Sequence, residues 1–384
     1  MAQASGRRRF LFISNGHGED WIAAAIIRAL PAEITAEAYP MIGAGSAYAD
    51  VCRVVGPRAT LASEGWRNVK GSIRRDIAAG GLRTLPPAFS FLRRIIGQYD
   101  QVVIVGDMVG VLFSLVAGLR NLFYIDVYKT GAARLYSASE RWTIKQTCRT
   151  VFCRSQNLAA MLAQSDIDAR SAGNVMMDTI PSGEYDASAR RARPLAVTLL
   201  PGSRALTGES FALQVEALRL LPDELIPDIF LAVAGGVDAD DLARHAGLGR
   251  TLHLTGERHD LGSLTDGRIT VHMARGGALG NLLAASDIVL SQAGTATVQA
   301  LGLGIPAVTF INPRDRRSRF RDEQGLFGEA RVVVPAEADA VSGALAHLLR
   351  DETHRNRLSE IGRARIGGPG ALSAIIEALA GCSR

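Results

Sequence analysis

The chain has 384 residues, of which 47% are apolar and 21% are charged, and these values are ordinary for a globular protein of about two to three domains. The formal net charge is +5 at pH 7, a balance that suits phosphorylated substrates, anionic lipid or nucleic acid. Because the arginines show no aromatic interleaving and no recognisable binding module, we expect no nucleic-acid partner.

No segment has the composition of a membrane span, a secretion signal or a metal site. The most apolar stretch, residues 102–119, is interrupted by Asp107, glycine and serine, and a span needs roughly 18 continuous apolar residues. The apolar run 10–14 after the basic start is too short for a signal peptide, so we expect a cytoplasmic protein. The cysteines lack metal-ligand spacing, so we expect no metal.

The first half of the chain alternates short apolar runs with helical patterns. Helices are predicted at about 20–30 and 89–96, and polar, turn-rich sequence at about 178–194 interrupts the pattern. The alternation is typical of a parallel sheet with crossover helices, which predicts a Rossmann-like domain over 1–180 and a linker over 181–194. The strand candidates are residues 10–14, 36–41, 102–105, 122–125, 150–153 and 169–172.

The same alternation restarts at residue 195 and predicts a second Rossmann-like domain over 195–366. Its helical patterns include 211–221 and 338–349. A helix at 371–380 follows a glycine-rich break, and the segment 367–384 is a candidate to cross back to the first domain. The predicted fold class is therefore α/β, with two parallel sheets facing a central cleft. The strand candidates are residues 195–200, 229–234, 251–254, 269–272, 288–291, 307–311 and 332–334.

Two loops with anion-binding chemistry follow strands of the second domain. In the segment 294–297, a glycine and small side chains open a helix, which leaves unpaired amides and the positive end of the helix dipole. The loop at 202–204 adds a tight turn, a hydroxyl and a cation. Open α/β sheets bind ligands at the carboxyl ends of strands, so the pair predicts a site for a nucleotide diphosphate-sugar, the alternative being that these residues only cap helices. The donor-site candidates are Gly202, Ser203, Arg204, Gly294, Thr295, Thr297 and, for sugar hydroxyls, Gln299.

Four short segments carry a resemblance to known enzymes: residues 14–20 (SNGHGED), 173–178 (GNVMMD), 200–204 (LPGSR) and 293–299 (AGTATVQ). In this order they resemble the inverting, two-domain glycosyltransferases of the GT-B fold, and more narrowly the lipid-A-disaccharide synthase family and its lipid-A-disaccharide synthase-related relatives. The resemblance implies transfer of a sugar from a UDP-sugar, typically UDP-N-acetylglucosamine or a derivative, to a lipid-linked acceptor, without a metal or other cofactor. It also implies that the carboxy-terminal domain holds the nucleotide.

The chain departs from this family at two positions. Gln299 stands where the family commonly has a glutamate that holds the ribose, and a neutral amide accepts hydrogen bonds more weakly than a carboxylate. His17 stands where lipid-A-disaccharide synthases proper have small and acidic residues. The identities of the nucleotide and of the acceptor therefore stay open. By the same resemblance Gln324 is expected at the donor sugar hydroxyls, with a solvated loop as the alternative.

An inverting transfer needs a base that deprotonates the acceptor hydroxyl. His17 lies in a Gly-His-Gly turn after the first strand and Asp107 follows the apolar run 102–106, so both are expected at carboxyl ends of strands. We predict that His17 is the base and that Asp107 orients its ring, while direct action of Asp107 is the alternative that the resemblance favours. The simpler roles are a cap or a phosphate contact for His17 and a helix N-cap for Asp107. Glu19 and Asp20 are expected to complement the helix dipole.

The segment 82–96 combines arginines with apolar residues at helical spacing. Such a basic amphipathic helix can rest on an anionic membrane surface, although a helix that packs on a core has the same pattern. We therefore predict an acceptor-binding or membrane-facing helix at the inner face of the cytoplasmic membrane, with core packing as the alternative. The residues assigned to it are Arg83, Phe89, Leu92, Arg93, Arg94 and Ile96.

Other classes of protein share parts of this pattern. A UDP-sugar epimerase of the same architecture would use the same diphosphate site, but such enzymes carry additional acidic residues around the sugar, which the sequence does not locate. A non-catalytic protein that binds a nucleotide-sugar or nucleic acid is a further alternative. A dinucleotide dehydrogenase is disfavoured because the Gly-x-Gly-x-x-Gly spacing after the first strand fails at Trp21.

Overall fold

The computed structural model describes residues 7–58, 85–132, 134–203, 206–251, 255–313 and 317–381. The chain forms two compact units. Unit 1 comprises Met1–Thr179, Arg316–Asp322 and Gly368–Arg384, and unit 2 comprises Ile180–Asp315 and Glu323–Gly367. Each unit is built on one mainly parallel sheet with helices between its strands, which confirms the predicted α/β class.

Unit 1 is built on a parallel sheet. Its strands are β1 (Arg8–Ser14), β2 (Ile34–Pro40), β3 (Arg53–Val54), β4 (Gln101–Gly106), β5 (Leu122–Asp126), β6 (Cys148–Phe152) and β7 (Ala169–Arg170). They pair in the order β3-β2-β1-β4-β5-β6-β7, and β4 is buried along its whole length, as expected for a parallel strand covered on both faces. The helices that follow in this part of the chain are α1 (His17–Arg28), α2 (Leu85–Arg94), α3 (Met108–Ala117), α4 (Ala138–Thr147), α5 (Gln156–Ala163) and α6 (Val175–Asp178).

Unit 2 repeats the plan with a larger sheet. Its strands are β8 (Ala196–Leu200), β9 (Asp228–Val233), β10 (Gly249–Thr251), β11 (Asp260–Thr265), β12 (Thr270–Arg275), β13 (Ile288–Ser291), β14 (Ala307–Ile311) and β15 (Arg331–Pro335). They pair in the order β10-β11-β12-β9-β8-β13-β14-β15. The helices from here on are α7 (Thr207–Arg219), α8 (Ala239–Ala246), α9 (Leu279–Ala284), α10 (Thr295–Leu303), α11 (Arg317–Phe327), α12 (Ala338–Arg350), α13 (Glu352–Ile366) and α14 (Ala371–Ala380).

One edge of the unit 2 sheet differs from the parallel arrangement that the sequence pattern predicts. β10, β11 and β12 pair antiparallel, and β11 has no counterpart among the strand candidates. The β11–β12 turn is tight because the Asp266 carboxylate accepts the N–H groups of Arg268 and Ile269 and Gly267 has φ +90°. An Asp-Gly pair is a hairpin signal in its own right. The strand candidate 251–254 lies mostly outside the described residues, and β10 ends at Thr251.

The carboxy-terminal segment belongs to unit 1. The Asn174 N–H donates to the Gly368 carbonyl oxygen at 2.9 Å, and the Asp178 carboxylate accepts from the N–H groups of Gly370 and Leu372 at 2.7 and 3.2 Å. Gly173 has φ +127°, and a Cβ there would lie 2.7 Å from the Pro369 carbonyl oxygen, so no larger residue fits this approach. The motif 173–178 therefore serves as a docking point for the last segment.

Candidate functional site

Two loops of unit 2 meet at the carboxyl edge of its sheet. β8 and β13 are neighbouring parallel strands that place Leu200 beside Ser291, and the Gln292 N–H donates to the Leu200 carbonyl oxygen at 2.8 Å. Gly202 has φ +101°, and a Cβ there would lie 3.7 Å from the Gln292 carbonyl oxygen. The structure therefore brings the Gly202 loop against the segment that leads into α10.

The start of α10 offers backbone donors at this edge. Gly294 is the N-cap, and no side chain caps the helix. The N–H groups of the first turn have no acceptor within a helix, and the helix dipole adds positive potential there. The Ala293 N–H is already held by the Ser291 hydroxyl at 3.2 Å, and Gly294 and Thr295 are half-buried. An oxyanion is the natural acceptor for such a group of amides.

Thr297 is placed differently from the prediction that it contacts phosphate. Its side chain is buried, and its hydroxyl lies 2.6 Å from the Ser291 hydroxyl and 2.5 Å from the Ala293 carbonyl oxygen. A hydroxyl has only one hydrogen, and here that hydrogen is used between these two oxygens. The assignment of the Thr297 side chain to a phosphate is therefore corrected: it holds the loop in shape.

The expected contact of Gln324 with the donor sugar is also corrected. Its amide nitrogen donates to the carbonyl oxygens of Gly328 and Arg331, at 2.8 and 3.3 Å, and its amide oxygen accepts from the Arg331 guanidinium at 2.9 Å. The side chain therefore fastens the end of α11 to β15 and has no amide proton left for a sugar. Gln299 is buried within α10, Ser203 is exposed, and Arg204 lies outside the described residues.

Asp107 lies at the carboxyl end of β4 in unit 1, where it caps α3. One of its carboxylate oxygens accepts from the Val109 N–H at 2.9 Å and from the Asn15 side-chain amide at 3.0 Å. The N-cap role weighed for Asp107 is therefore observed, and Asn15 is a partner that the sequence analysis missed. His17 begins α1, but its side chain is outside the described part of the structure.

Asp20 is more than an acid that complements the helix dipole. It is 2% exposed, and it accepts a hydrogen bond from the Ser14 hydroxyl at 2.6 Å, while Ser14 in turn lies 2.6 Å from the Tyr48 hydroxyl. Burial raises the pKa of the Asp20 carboxyl to about 7, against the opposing effect of the Ser14 hydrogen bond. A side chain that titrates near neutral pH thus lies behind the first loop of unit 1.

A second group of ionisable side chains follows β5. The Asp126 carboxylate accepts from the Tyr136 hydroxyl and from the N–H groups of Tyr128 and Lys129, and burial raises its pKa. The Lys129 ammonium donates to both oxygens of Glu140, at 2.7 and 2.9 Å. Glu140 belongs to a capping box with Ser137. The sequence signals were an aspartate directly after an apolar run and a Ser-x-x-Glu spacing, but neither was assigned to the site.

The helix assigned to the acceptor or membrane packs its apolar face into the core. Leu92 is 1% exposed, and Phe89 stacks on Phe113 with ring centroids 4.8 Å apart. Leu92 therefore cannot contact a membrane, and its assignment is corrected, because the apolar stripe of α2 is used to cover the sheet of unit 1. Arg93, Arg94 and Ile96 are exposed, and Arg83 lies outside the described residues. No described helix is both long and apolar enough to cross a bilayer.

Within the described ranges, no group of three or more His, Cys, Asp or Glu side chains is arranged to hold a metal ion. The chain matches no protein-family model and no curated protein sequence.

Solved structures are similar to the chain over nearly its whole length. S. aureus MnaA, solved with UDP, is 13% identical and aligns over 96% of this chain and 94% of its own, with a TM-score of 0.61. A putative UDP-N-acetylglucosamine 2-epimerase from Listeria monocytogenes is 13% identical, with 97% and 96% covered and a TM-score of 0.60. The glycosyltransferase SnogD from Streptomyces nogalater is 17% identical, with 97% and 99% covered and a TM-score of 0.52. The chain therefore has the GT-B fold, which epimerases and glycosyltransferases share.

Proposed function

We propose that this chain is an inverting glycosyltransferase, similar to lipid-A-disaccharide synthases, that moves a hexose of the N-acetylglucosamine type from a UDP-sugar to a lipid-linked acceptor. The observation that carries the proposal is the meeting of the Gly202 loop and the uncapped start of α10 at one sheet edge of unit 2. Backbone amides in this arrangement hold a diphosphate, and they stabilise the charge that grows on it as it leaves.

The proposed reaction requires a base as well as this leaving-group site. The acceptor hydroxyl attacks the anomeric carbon, the bond from that carbon to the diphosphate oxygen breaks, and the hydroxyl proton passes to the base. Asp107 lies at a strand end with its carboxylate oriented by Asn15 and by the Val109 amide, so it suits either the direct role or the orientation of His17. If Asp107 is the base, replacing His17 should leave turnover nearly unchanged. If Asp107 orients His17, replacing either residue should lower turnover.

Exposed residues of α3 and of the end of α2 with the turn after it support the acceptor side of the proposal. Ile96, Leu112 and Val116 are 51%, 49% and 55% exposed, and the exposed Arg93 and Arg94 precede Ile96. Apolar side chains beside arginines suit the surface of an anionic membrane, where a lipid-linked acceptor would be met. Sedimentation with anionic vesicles at low salt tests this part: the chain is expected to bind and a Leu112→Ser, Val116→Ser variant to bind less, while a wild-type chain that stays in the supernatant removes the membrane contact.

Thermal unfolding in the presence of UDP-, GDP- and TDP-sugars tests the donor site, because a ligand that binds only the native state raises its melting temperature. UDP and UDP-N-acetylglucosamine are expected to raise it. If none of these nucleotides changes the melting temperature, the donor site is not where we propose it. Transfer is then measured as release of UDP that depends on a lipid-linked acceptor.

A UDP-sugar epimerase is the second candidate, and the group of ionisable residues after β5 favours it. Asp126 is buried with a raised pKa, and Glu140 lies on the other side of Lys129; these acidic residues of unit 1 support an enzyme that uses carboxyl groups around the sugar. The two candidates separate when UDP-N-acetylglucosamine is supplied alone. An epimerase forms a stereoisomer of this substrate without an acceptor, whereas a transferase leaves it intact apart from slow hydrolysis.

A further inference from the structure

A partly buried arginine in unit 1, Arg154, has no part in the reaction proposed above. Arg154 lies just beyond the carboxyl end of β6, next to Ser155, the N-cap of α5. Its Nη2 atom is buried, and no hydrogen-bond partner reaches this atom within the described part of the chain. Buried donors are nearly always paired, and an unpaired one on a charged group is especially unfavourable. The buried Nη2 atom of this guanidinium therefore lacks a hydrogen-bond acceptor.

The two carboxylates of the group that follows β5, Asp126 and Glu140, are already engaged. Both oxygens of Asp126 are used, one by the Tyr136 hydroxyl and the other by the N–H groups of Tyr128 and Lys129. Both oxygens of Glu140 accept from Lys129. Neither carboxylate is hydrogen-bonded to Arg154, and within the described ranges no other carboxylate forms an ion pair with this guanidinium.

The surroundings favour an incoming anion. Burial lowers the pKa of the Arg154 guanidinium to about 10, Asp126 opposes this effect, and Arg134 adds to it by repulsion. The group therefore stays charged at neutral pH. Arg134 itself lies over the Tyr128 ring, 4.5 Å from its centroid, on the loop that follows β5. Arg134 pairs with the Asp322 carboxylate at 3.7 Å. Arg154 is therefore the cation of this region that an incoming anion would neutralise.

The two loops around Arg154 are held in place by local contacts. The Asn157 side-chain amide donates to the Gly131 carbonyl oxygen at 3.0 Å. Gly131 has φ +76°, and a Cβ on it would collide with the Ser155 hydroxyl, so the β5–α4 loop lies directly against the start of α5. The unpaired donor is therefore fixed in a preorganised setting, as a binding residue requires.

We infer that Arg154 binds an oxyanion, a phosphate or a carboxylate, of a small-molecule ligand at the carboxyl edge of the unit 1 sheet. The planar guanidinium can donate two parallel hydrogen bonds to either group. The binding itself stands apart from the function proposed above, whereas the assignment of this anion to the acceptor substrate rests on that proposed function.

The test compares variants of two arginines: Arg149, which lies in β6, and Arg154, which lies just after this strand. Arg154→Met removes the guanidinium with the buried, unpaired Nη2 atom, and Arg149→Met removes an exposed arginine of β6 as the matched control. The melting temperature of each chain is measured against inorganic phosphate and, separately, acetate, with ionic strength held constant by chloride. Both variants keep the loops of unit 2, so the contribution of those loops to phosphate binding cancels in the comparison.

The apparent dissociation constant for phosphate, acetate or both is expected to rise about tenfold or more in R154M and to stay at the wild-type value in R149M. The anion that shows the loss identifies the group that is bound. In chloride alone R154M should melt no lower than the wild type, because a charged group with an unpaired buried N–H has been removed. Equal anion responses in R154M and R149M, or a wild-type chain that responds to neither anion, would overturn the inference.

If R154M does not fold, Arg154→Lys takes its place, since it keeps the charge but loses the two-pronged geometry. A weakened anion response in R154K supports the inference, and an unchanged one contradicts it. UDP is titrated in parallel. If UDP does not change the melting temperature of the wild-type chain, the proposed donor site is wrong. The comparison of R154M with R149M in phosphate and acetate still decides the role of Arg154 in that case.

Discussion

The carboxyl edges of the two sheets differ in the kind of group that they present. In unit 2 the edge consists of backbone amides and small residues around Gly202 and Gly294, and the Thr297 hydroxyl there is used internally. In unit 1 the edge carries ionisable side chains, among them Asp20, Asp107 and Asp126. The first edge can hold charge without exchanging protons, and the second can exchange protons. This division is what a transfer between a diphosphate donor and a hydroxyl acceptor requires.

The largest effect is expected at the proton-exchanging edge, from Asp107→Asn. Asparagine is as good an N-cap as aspartate, so the variant should fold, but it cannot accept the acceptor proton or stabilise a charged histidine. Turnover with acceptor is expected to fall about 100-fold or more, while the UDP-dependent rise in melting temperature is kept. Near-native turnover in both D107N and His17→Ala would show that unit 1 does not supply the base from these residues.

The pH dependence of stability should separate Asp20 from an ordinary surface acid. Its pKa is about 7 in the folded chain against the ordinary 3.8, so the folded state holds the proton more tightly than the unfolded state. The stability from this group is fully present below pH 3.8 and is lost as the pH rises through about 7, by at most about 4 kcal/mol.

Urea unfolding from pH 4 to pH 8 measures this effect. Asp20→Asn should gain stability relative to the wild type as the pH rises, because the amide does not ionise. Glu224→Gln, at an exposed position, should show no such trend. Parallel pH profiles for D20N and the wild type would contradict the assignment.

At the amide edge, Gly202→Ala tests whether backbone geometry is what matters. An L side chain is strained at φ +101°, so the free energy of unfolding should fall by about 1–3 kcal/mol and the UDP-dependent rise in melting temperature should shrink. Gly236→Ala is the control, because a Cβ there meets nothing within 4 Å. An equal UDP-dependent rise in melting temperature in G202A and G236A would show that the Gly202 loop does not bind the donor.

The smallest effect is expected from Thr297→Val, which removes only the buried hydroxyl. The free energy of unfolding should fall by about 1 kcal/mol because the Ser291 hydroxyl loses one of its two hydrogen-bond partners, and the dissociation constant for UDP should change by less than about threefold. Calorimetric titration with UDP checks this. A large loss of UDP affinity would indicate that the Thr297 side chain contacts the phosphate after all. The donor edge would then depend on a side chain as well as on backbone amides.

The sequence predicted the parallel strands well because a strand covered on both faces leaves a short, continuous apolar run, as in β4 and β8. β11 was missed because it alternates buried and half-buried residues, and its identity depends on the Asp266-Gly267 turn rather than on apolar content. The helix α2 was recognised, but periodicity alone does not say whether an apolar stripe faces a core or a lipid surface.

The candidate site was harder to predict because its side chains find partners far along the chain. Asn15 and Asp107 are brought together by the pairing of β1 with β4, and spacing in the sequence does not encode that pairing. Gln324 and Thr297 were assigned to a ligand from their motifs, yet both side chains are engaged by near neighbours. The motifs thus indicated two loops that meet at one sheet edge, whereas the partner of each polar atom required the three-dimensional structure.

The attachment of Gly368, Gly370 and Leu372 to the motif 173–178 has a consequence for biosynthesis. Unit 1 is translated first, but α14 and its anchoring turn emerge from the ribosome only after the whole of unit 2. These contacts of unit 1 therefore form only after unit 2 has been synthesised, so unit 1 cannot be completed during translation of its own amino-terminal part.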